Sequence, residues 1–319
     1  MSTSITVAPP SDVPTFMGFP LCTQLDKLEA DIAILGIPYG IPYGPDEIAN
    51  DQSNAPSAVR RKSVQLSDGL DHWDFDIGGP LIDDRNIRVV DCGDIPVNPD
   101  DIKAHYQIAE KAVRTILERG AYPVIIGGDH GVPIPVFRAL EVRGSVTLIH
   151  VDAHIDWRDE VNGVHEGYSS PVRRASELPH IEGIFQIGMR AQGSARAKEV
   201  ADAMAYGADI TTAYKVHENG ISAVLERIPD NKRYYLSIDA DGLDPTVMPA
   251  VAGPAPGGLL FHQVRTLIHG LVRKGRLVGM DIVEITPCRD VNGITALTAG
   301  QLILNFIGTT VRAGYFEGS

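Results

Sequence analysis

Residues 146–156 read VTLIHVDAHID. The first half is an uncharged, β-rich run of the kind that forms a strand buried on both faces of a parallel sheet. The second half alternates Asp152, His154 and Asp156, which share one face if the strand persists, because strand side chains alternate with a period of two. Burying such ionisable groups unpaired costs several kcal/mol each. The stretch therefore predicts a buried parallel strand that ends in a metal site.

Two other apolar runs, residues 123–130 (PVIIGGDH) and 234–241 (YYLSIDAD), also end in ligand-type side chains. Ligands of open α/β folds gather outside the carboxyl ends of the strands, so the three strand ends are expected to meet. The predicted metal ligands are His130, Asp152, His154, Asp156, Asp239 and Asp241. Their four carboxylates offset the charge of two dications, and the imidazoles ligate in their neutral form. Solvated strand ends are the alternative interpretation.

These motifs and their order resemble the ureohydrolases, the family of arginase, agmatinase and guanidinobutyrase. The matching segments are 127–130 (GGDH), 152–156 (DAHID), 237–245 (SIDADGLDP) and 281–287 (DIVEITP), with softer matches at 92–94, 186–190 and 295–299. The likeness extends from about Ile32 to the C-terminus. The resemblance implies metal-dependent hydrolysis of a guanidino compound to urea and an amine.

Strand-like and helix-like patterns alternate along the chain with short connectors, which favours one mostly parallel sheet with helices on both faces. Together with the resemblance, this predicts an α/β fold of the three-layer α-β-α type with an arginase-like central sheet. We expect an N-terminal extension over residues 1–30 and a single catalytic domain over residues 31–319. The long irregular stretches 38–60 and 157–170 are expected to cover the site.

The composition limits the classes of partner. A net charge of −13 at pH 7 disfavours nucleic acid and anionic membranes and favours cationic ligands such as a small guanidino substrate. Three widely spaced cysteines favour reduced residues over a disulfide framework. The N-terminus lacks the features of a signal peptide, and no apolar run approaches the ~20 residues of a spanning helix. We expect a cytoplasmic enzyme, and the family resemblance implies a homotrimer or homohexamer.

The resemblance also divides the ligands between two ions. The implied sets are Asp152 and Asp241 for both ions, His130 and Asp156 for one, and His154 and Asp239 for the other. Mixed carboxylate and imidazole ligands suit Mn²⁺, and Ni²⁺ is an alternative. Two such ions lower the pKa of a shared water toward neutrality. Asp156 is then a catalytic residue as well as a ligand, because its free oxygen would hold that water in line.

Four residues are expected to meet the substrate: Trp157, Arg158, Tyr168 and Glu284. Glu284 follows the last predicted strand, and its carboxylate can take a guanidinium through two parallel N–H···O bonds. The resemblance matches it to the glutamate that orients the guanidinium, whereas the alternative is a solvated strand-end charge. Arg158 either pairs with a substrate carboxylate or points to solvent.

Proton transfer needs a group that titrates near neutrality, which makes His165 the candidate catalytic residue. Family members usually carry His-Gly, one residue and then Pro, whereas residues 165–171 read HEGYSSP. Counting back from Pro171 puts Tyr168 in the place of the histidine. Allowing two extra residues restores His165, which is the alignment we favour, while Tyr168 stays open.

The substrate-facing segments depart from the family. Residues 252–258 read AGPAPGG, so Ala255 stands where many relatives have an acidic residue. The expected aromatic and apolar cover consists of Tyr39, Ile41, Pro42, Tyr43, Trp157 and Tyr168. Such a cover lacks the placed polar groups that arginine needs. We expect a guanidino acid or a small substituted guanidine as substrate. The alternatives are an agmatinase, a deacetylase-like amidohydrolase with one Zn²⁺, and a catalytically silent subunit of a hetero-oligomer.

Overall fold

The computed structural model describes residues 7–8, 13–40, 43, 51–67, 69–96 and 101–317. The strands in these ranges are β1 (Ile32–Ile37), β2 (Val89–Asp94), β3 (Tyr122–Gly127), β4 (Val146–Val151), β5 (Ile181–Met189), β6 (Asp209–Thr212), β7 (Arg233–Asp239) and β8 (Arg276–Val283). They form one eight-stranded sheet in the order β2-β1-β3-β8-β7-β4-β5-β6. Every neighbouring pair is parallel.

Helices cover both faces of the sheet. They are α1 (Ala55–Ser67), α2 (Ile102–Glu118), α3 (Pro133–Ala139), α4 (Pro171–Ser176), α5 (Ala197–Tyr206), α6 (Ala213–Arg227), α7 (Phe261–Lys274) and α8 (Ile294–Arg312). One apolar core contains side chains of α1, α6, α7 and α8, and the other contains side chains of α2, α3, α4 and α5. Ile32 and Ile34 of β1 belong to the first core, and Ala33 and Leu35 to the second, as strand alternation requires. The predicted three-layer α-β-α class is confirmed.

No regular element was expected over the residues of β6, α4 or α1. The expected irregular stretch 38–60 in fact runs into α1, which begins at Ala55. A buried ion pair holds this helix to the sheet, because Arg60 Nε and Nη2 donate to the two carboxylate oxygens of Asp91 at 2.8 and 2.9 Å. Arg60 also pairs with Asp94. The Pro, Gly and Asn content before Ala55 concealed the start of the helix.

The described part of residues 1–30 lies along the outer edge of β2. Leu21 forms a parallel bridge with Asp91, and the Phe16 backbone N–H donates to Asp91 Oδ2 at 2.7 Å. The side chains of Phe16 and Leu25 are fully buried. The segment therefore covers a sheet edge whose backbone groups would otherwise be open to pairing.

Helix α8 differs from the expectation that no apolar segment is long enough to span a membrane. By length and composition it could cross a membrane, although no such segment was anticipated from the sequence. Within the fold, 78% of its most apolar window is buried. It packs against α1 and α7. This burial is what a core helix shows.

Candidate metal centre and active site

Three carboxylate oxygens face one imidazole nitrogen where β3, β4 and β7 end. His130 Nδ1 lies 3.1 Å from Asp152 Oδ2 and 3.0 Å from Asp156 Oδ2. The same nitrogen lies 2.9 Å from Asp239 Oδ2. All four residues are buried, and Asp152 Oδ2 has no hydrogen-bond partner of good geometry. One N–H cannot satisfy three carboxylates, so the donor set fits a divalent cation.

A second imidazole meets the same cluster from the other side. His154 Nδ1 lies 3.4 Å from Asp152 Oδ1 and 3.2 Å from Asp241 Oδ2. Asp152 therefore reaches both imidazoles. Asp239 is adjacent to His130, and Asp241 is adjacent to His154. The family resemblance had instead implied that Asp241 is shared between the two ions and that Asp239 and His154 bind the same ion. The reason for this difference is local, since Asp239 ends β7 while Asp241 lies in the following 3₁₀ turn, its backbone N–H bound to Asp239 Oδ1 at 2.8 Å.

The electrostatics of this cluster favour positive charge at its centre. Burial and the neighbouring carboxylates of Asp241 and Asp152 raise the pKa of Asp239 well above its usual range. Desolvation disfavours protonated His154, but Asp152 and Asp241 outweigh it and raise its pKa to about 12. Protons or divalent ions can meet this requirement, and the carboxylate and imidazole donors suit the ions.

His150 also belongs to this cluster, although it was not among the predicted site residues. Its Nε2 lies 2.9 Å from Asp152 Oδ2, and its Nδ1 lies 3.3 Å from the side-chain nitrogen of Gln186. Both residues are fully buried. If the Gln186 amide donates to Nδ1, the neutral ring carries its proton on Nε2, the nitrogen nearer to Asp152. The signal was available, because His150 lies two residues before Asp152 and therefore on the same face of β4. Such outer partners orient metal-ligating carboxylates.

Glu284 is buried beside the cluster rather than solvated at a strand end. Its Oε1 accepts from the His130 backbone N–H at 2.8 Å, and its Oε2 accepts from Gln52 Nε2 at 3.0 Å. Burial raises the pKa of Glu284 to about 7. Glu284 and Asp156 both have left-handed backbone, with φ of 64° and 46°. Non-glycine residues held in this region are concentrated at functional sites.

A cavity of about 280 Å³ opens onto these groups. Its lining consists of Gln52, His154, Asp156, Tyr168, Ser169, Ser194, Asp239, Asp241, Ala252, Gly253 and Glu284. Four carboxylates thus face one small space. Gln52, Ser169 and Ser194 were not recognised from the sequence, because none belongs to a motif.

The structure brings Tyr168, not His165, to the cavity. The His165 side chain is 55% exposed, and its Nδ1 lies 3.0 Å from the Asp159 carbonyl oxygen. The expectation that His165 reaches the site is therefore corrected. The loop after β4 forms a tight turn at Val161 and Val164 that leaves His165 outside. The alignment that counts back from Pro171 agrees with the observed position of Tyr168.

Tyr43 fixes the segment that carries Tyr168. The Tyr43 hydroxyl accepts from the Ser169 backbone N–H at 2.9 Å, and the rings of Tyr43 and Tyr168 lie 4.4 Å apart. A Cβ at position 167 would overlap the Tyr43 ring, so Gly167 permits this approach. Tyr168 is therefore held against the cavity by packing and by a backbone hydrogen bond.

Two expected substrate contacts lie elsewhere. Trp157 is 2% exposed and packs in the core against Tyr206, with ring centroids 5.6 Å apart. Arg158 Nε pairs with Glu199 Oε1 at 2.9 Å. Neither residue lines the cavity. The left-handed backbone at Asp156 redirects the chain after the metal motif, which is why both expectations were wrong.

Of the remaining residues that were expected to cover the site, none that the structure describes is among the residues that line the cavity. Tyr39 is buried beside His105, with rings 4.9 Å apart, and does not line the cavity. Ile41 and Pro42 lie outside the described residues. Ala255 is also buried, although its segment contributes Ala252 and Gly253 to the lining.

Arg190 forms hydrogen bonds that link the turn containing Asp241 to the 252–258 segment. Its Nη2 donates to the carbonyl oxygens of Asp241 and Ala255, each at 2.6 Å, and to that of Leu243 at 3.2 Å. The guanidinium is buried, so these bonds replace its lost water contacts. Arg190 therefore holds both the predicted metal ligand Asp241 and the segment that forms one wall of the cavity.

Comparison with known proteins agrees with this geometry. Residues 30–308 match the model of the arginase family, and the chain belongs to that family. A guanidinopropionase of Pseudomonas aeruginosa is 31% identical over 309 residues, covering 92% of this chain and 91% of that protein. An agmatinase of Blochmanniella floridana is 30% identical over 286 residues, covering 88% and 89%.

The solved structure of proclavaminate amidino hydrolase from Streptomyces clavuligerus superposes with a TM-score of 0.81. It is 28% identical and covers 94% of this chain and 98% of that chain. The arginase family consists of dinuclear metal-dependent hydrolases that act on guanidino compounds. The chain is therefore a ureohydrolase, and the His and Asp cluster is its metal-binding site.

Proposed function

We propose that this enzyme hydrolyses a guanidino acid or a small substituted guanidine, rather than arginine, to urea and an amine. The observation that carries the proposal is the position of Glu284, which shares one small cavity with the metal-binding carboxylates. A buried carboxylate facing that cavity is suited to a planar cation. The relatives named for guanidinopropionate and agmatine act on compounds of this kind.

Glu284 would bind and orient the guanidinium. Each of its oxygens already accepts one hydrogen bond, from Gln52 and from the His130 backbone. A carboxylate oxygen can accept more than one, so a fork of two N–H donors can still dock. The existing bonds restrict rotation of the carboxylate, so less entropy is lost when the substrate binds.

Two divalent ions, which we propose to be Mn²⁺, would be held by the six predicted ligands and would supply a water of lowered pKa as the nucleophile. Asp156 would accept a hydrogen bond from that water and align it. The guanidinium carbon would gain the water oxygen, the C–N bond to the substituent would break, and both protons of the water would end on the leaving amine, the second of them delivered as the bond breaks. Tyr168, which lines the cavity, is our candidate for delivering that proton.

Arginine is the poorer fit for two reasons. Its α-ammonium and α-carboxylate each need polar partners, since charged groups left unmatched in an enclosed site are costly. At position 255, where many relatives have an acidic residue that could pair with an ammonium group, this chain has the buried Ala255. An agmatinase remains the second candidate, on the likeness to the Blochmanniella floridana protein. We further propose a cytoplasmic homotrimer or homohexamer without nucleic acid or membrane partners, on the resemblance and the charge of −13.

The test is urea release from arginine, agmatine, 4-guanidinobutyrate, 3-guanidinopropionate, methylguanidine and guanidine, each with Mn²⁺ and with Ni²⁺. We expect kcat/KM for arginine to be lower than for the best guanidino acid or small guanidine. Higher values for arginine or agmatine than for every other compound would overturn the substrate proposal. Absence of urea from all compounds, with two metal equivalents bound, would favour a catalytically silent subunit.

A further inference from the structure

We infer that the substituent on the substrate guanidinium is uncharged and, in particular, carries no carboxylate. This rests on the proposed function and narrows it to small substituted guanidines. The observation is the composition of the cavity wall. It has four carboxylates, the imidazole of the predicted metal ligand His154, the hydroxyl or amide groups of Gln52, Tyr168, Ser169 and Ser194, and the small residues Ala252 and Gly253. Neither arginine nor lysine is among these lining residues.

The charges of the site already balance without a charged substituent. Asp152, Asp156, Asp239 and Asp241 together offset two dications. Glu284 offsets the guanidinium of the substrate. A carboxylate on the substituent would therefore enter a small space whose charges are already balanced and would have no counter-charge of its own, which disfavours binding. Hydroxyls and small side chains instead suit an uncharged group.

The arginines on segments that adjoin the cavity wall have other partners, including Arg196, whose Nη1 lies 3.6 Å from Glu199 Oε1. Arg158 pairs with Glu199, and Arg190 is buried and donates to backbone carbonyls. Arg289 Nη1 donates to the carbonyl oxygens of Val251 and Ala252, each at 3.0 Å, and Arg289 does not line the cavity.

The segments outside the described ranges have no cationic side chain. They contain no arginine, lysine or histidine in the sequence. A cationic side chain that pairs with the substrate carboxylate would therefore have to come from the described residues, and no lysine or arginine among them lines the cavity. The guanidinopropionase relative is named for an acid, and at 31% identity its cavity wall need not be the same.

The decisive comparison uses two substrates of nearly equal shape, 3-guanidinopropanoate and its primary amide, 3-guanidinopropanamide. With the metal-loaded enzyme we expect kcat/KM for the amide to exceed that for the acid by more than about tenfold. Equal values, or a preference for the acid, would overturn the inference. A higher kcat/KM for agmatine than for its uncharged counterpart, pentylguanidine, would also overturn it.

A substitution at the rim tests the cause. Ser194 is exposed and lines the cavity, so Ser194→Arg adds a cation there and Ser194→Gln is the matched uncharged control. We expect Ser194→Arg, unlike Ser194→Gln, to raise the acid-to-amide ratio of kcat/KM at least about fivefold. An unchanged ratio in Ser194→Arg would mean that charge at the wall does not set the preference.

A binding readout separates this inference from the proposed function. The Tm of the metal-loaded protein is measured with an excess of the acid or of the amide. If neither compound releases urea, the proposed function fails for them, but a larger Tm increase with the amide would still support an uncharged substituent. A larger increase with the acid would overturn the inference whatever the activity.

Discussion

The side-chain amide of Gln52 donates to Glu284 Oε2 across 3.0 Å, which joins the turn before α1 to the end of β8. The other oxygen of Glu284 accepts from the His130 backbone N–H at 2.8 Å. The orientation of the proposed guanidinium-binding carboxylate therefore depends on two separate parts of the chain, one of which also carries a metal ligand.

Glu284→Gln keeps the size of the side chain and removes its charge. We expect kcat/KM to fall by more than about tenfold, or ~1.4 kcal/mol, because the charge-assisted fork to the guanidinium is lost. The measurement is urea release, with metal content determined on the same preparation. A fall in activity that follows a fall in metal content would assign Glu284 to metal binding instead.

Tyr168→Phe should lower kcat by more than about tenfold while metal stays bound, because only the hydroxyl near the cavity is removed. His165→Ala should retain nearly wild-type kcat, since that side chain is exposed and outside the cavity lining. Steady-state kinetics and elemental analysis of both variants check this. The opposite pattern would return the proton-transfer role to His165.

Asp239→Ala should lose metal and activity together, because one carboxylate beside His130 is removed from the cluster. Wild-type protein should approach two metal equivalents per chain after reconstitution, and the variant should hold one or fewer. Asp209→Ala, which removes the ion pair with Arg227 and a hydrogen bond from Thr211, is the control and should keep both metal equivalents. A single tightly bound Zn²⁺ in the wild type would contradict the prediction and favour the deacetylase-like alternative.

Removal of metal by a chelator should lower Tm. Without cations, burial and neighbouring carboxylates disfavour the ionised form of Asp239. Free metal at one hundred times its Kd stabilises the native state by about 2.7 kcal/mol, which corresponds to several degrees in Tm. Differential scanning calorimetry before and after chelation measures the shift. A Tm that is independent of metal would mean that the cluster does not bind ions in the folded state.

Arg60→Met should destabilise the fold strongly, because Asp91 is then left buried without its counter-charge. A loss of about 3–5 kcal/mol in the free energy of unfolding is expected. Arg88→Met removes an exposed pair with Glu29 and should cost less than about 1 kcal/mol. Urea denaturation of both variants measures the two losses in the free energy of unfolding. Equal losses would refute the proposal that the Arg60–Asp91 pair holds α1 to the sheet.

The sheet, and the meeting of the six candidate metal ligands at one edge of it, could be predicted from the sequence because both are encoded locally. An apolar run with ligand residues at its end fixes the strand and the edge at which the side chains emerge. The direction of the chain beyond the strand is not encoded in this way. Asp156 has a φ of 46°, so Trp157 enters the core and Arg158 meets Glu199.

Contacts between segments that are far apart in the sequence are the second feature that could not be predicted. Gln52 lies in a stretch whose composition suggested an irregular loop, and nothing near it in sequence points to Glu284. Tyr168 reaches the cavity because Tyr43 packs against it and binds Ser169. His150 is different, since its spacing from Asp152 was sufficient to place it and was overlooked.

The strand order has a consequence for biosynthesis. β3 and β4 follow each other in the chain, yet β8 and β7, among the last strands to be made, lie between them in the sheet. A growing polypeptide on the ribosome therefore holds His130 and Asp152 long before the strands that must separate them exist. We expect the site to be complete only after residue 283 has emerged, and until then the edges of β3 and β4 lack their partner strands, a state that favours aggregation.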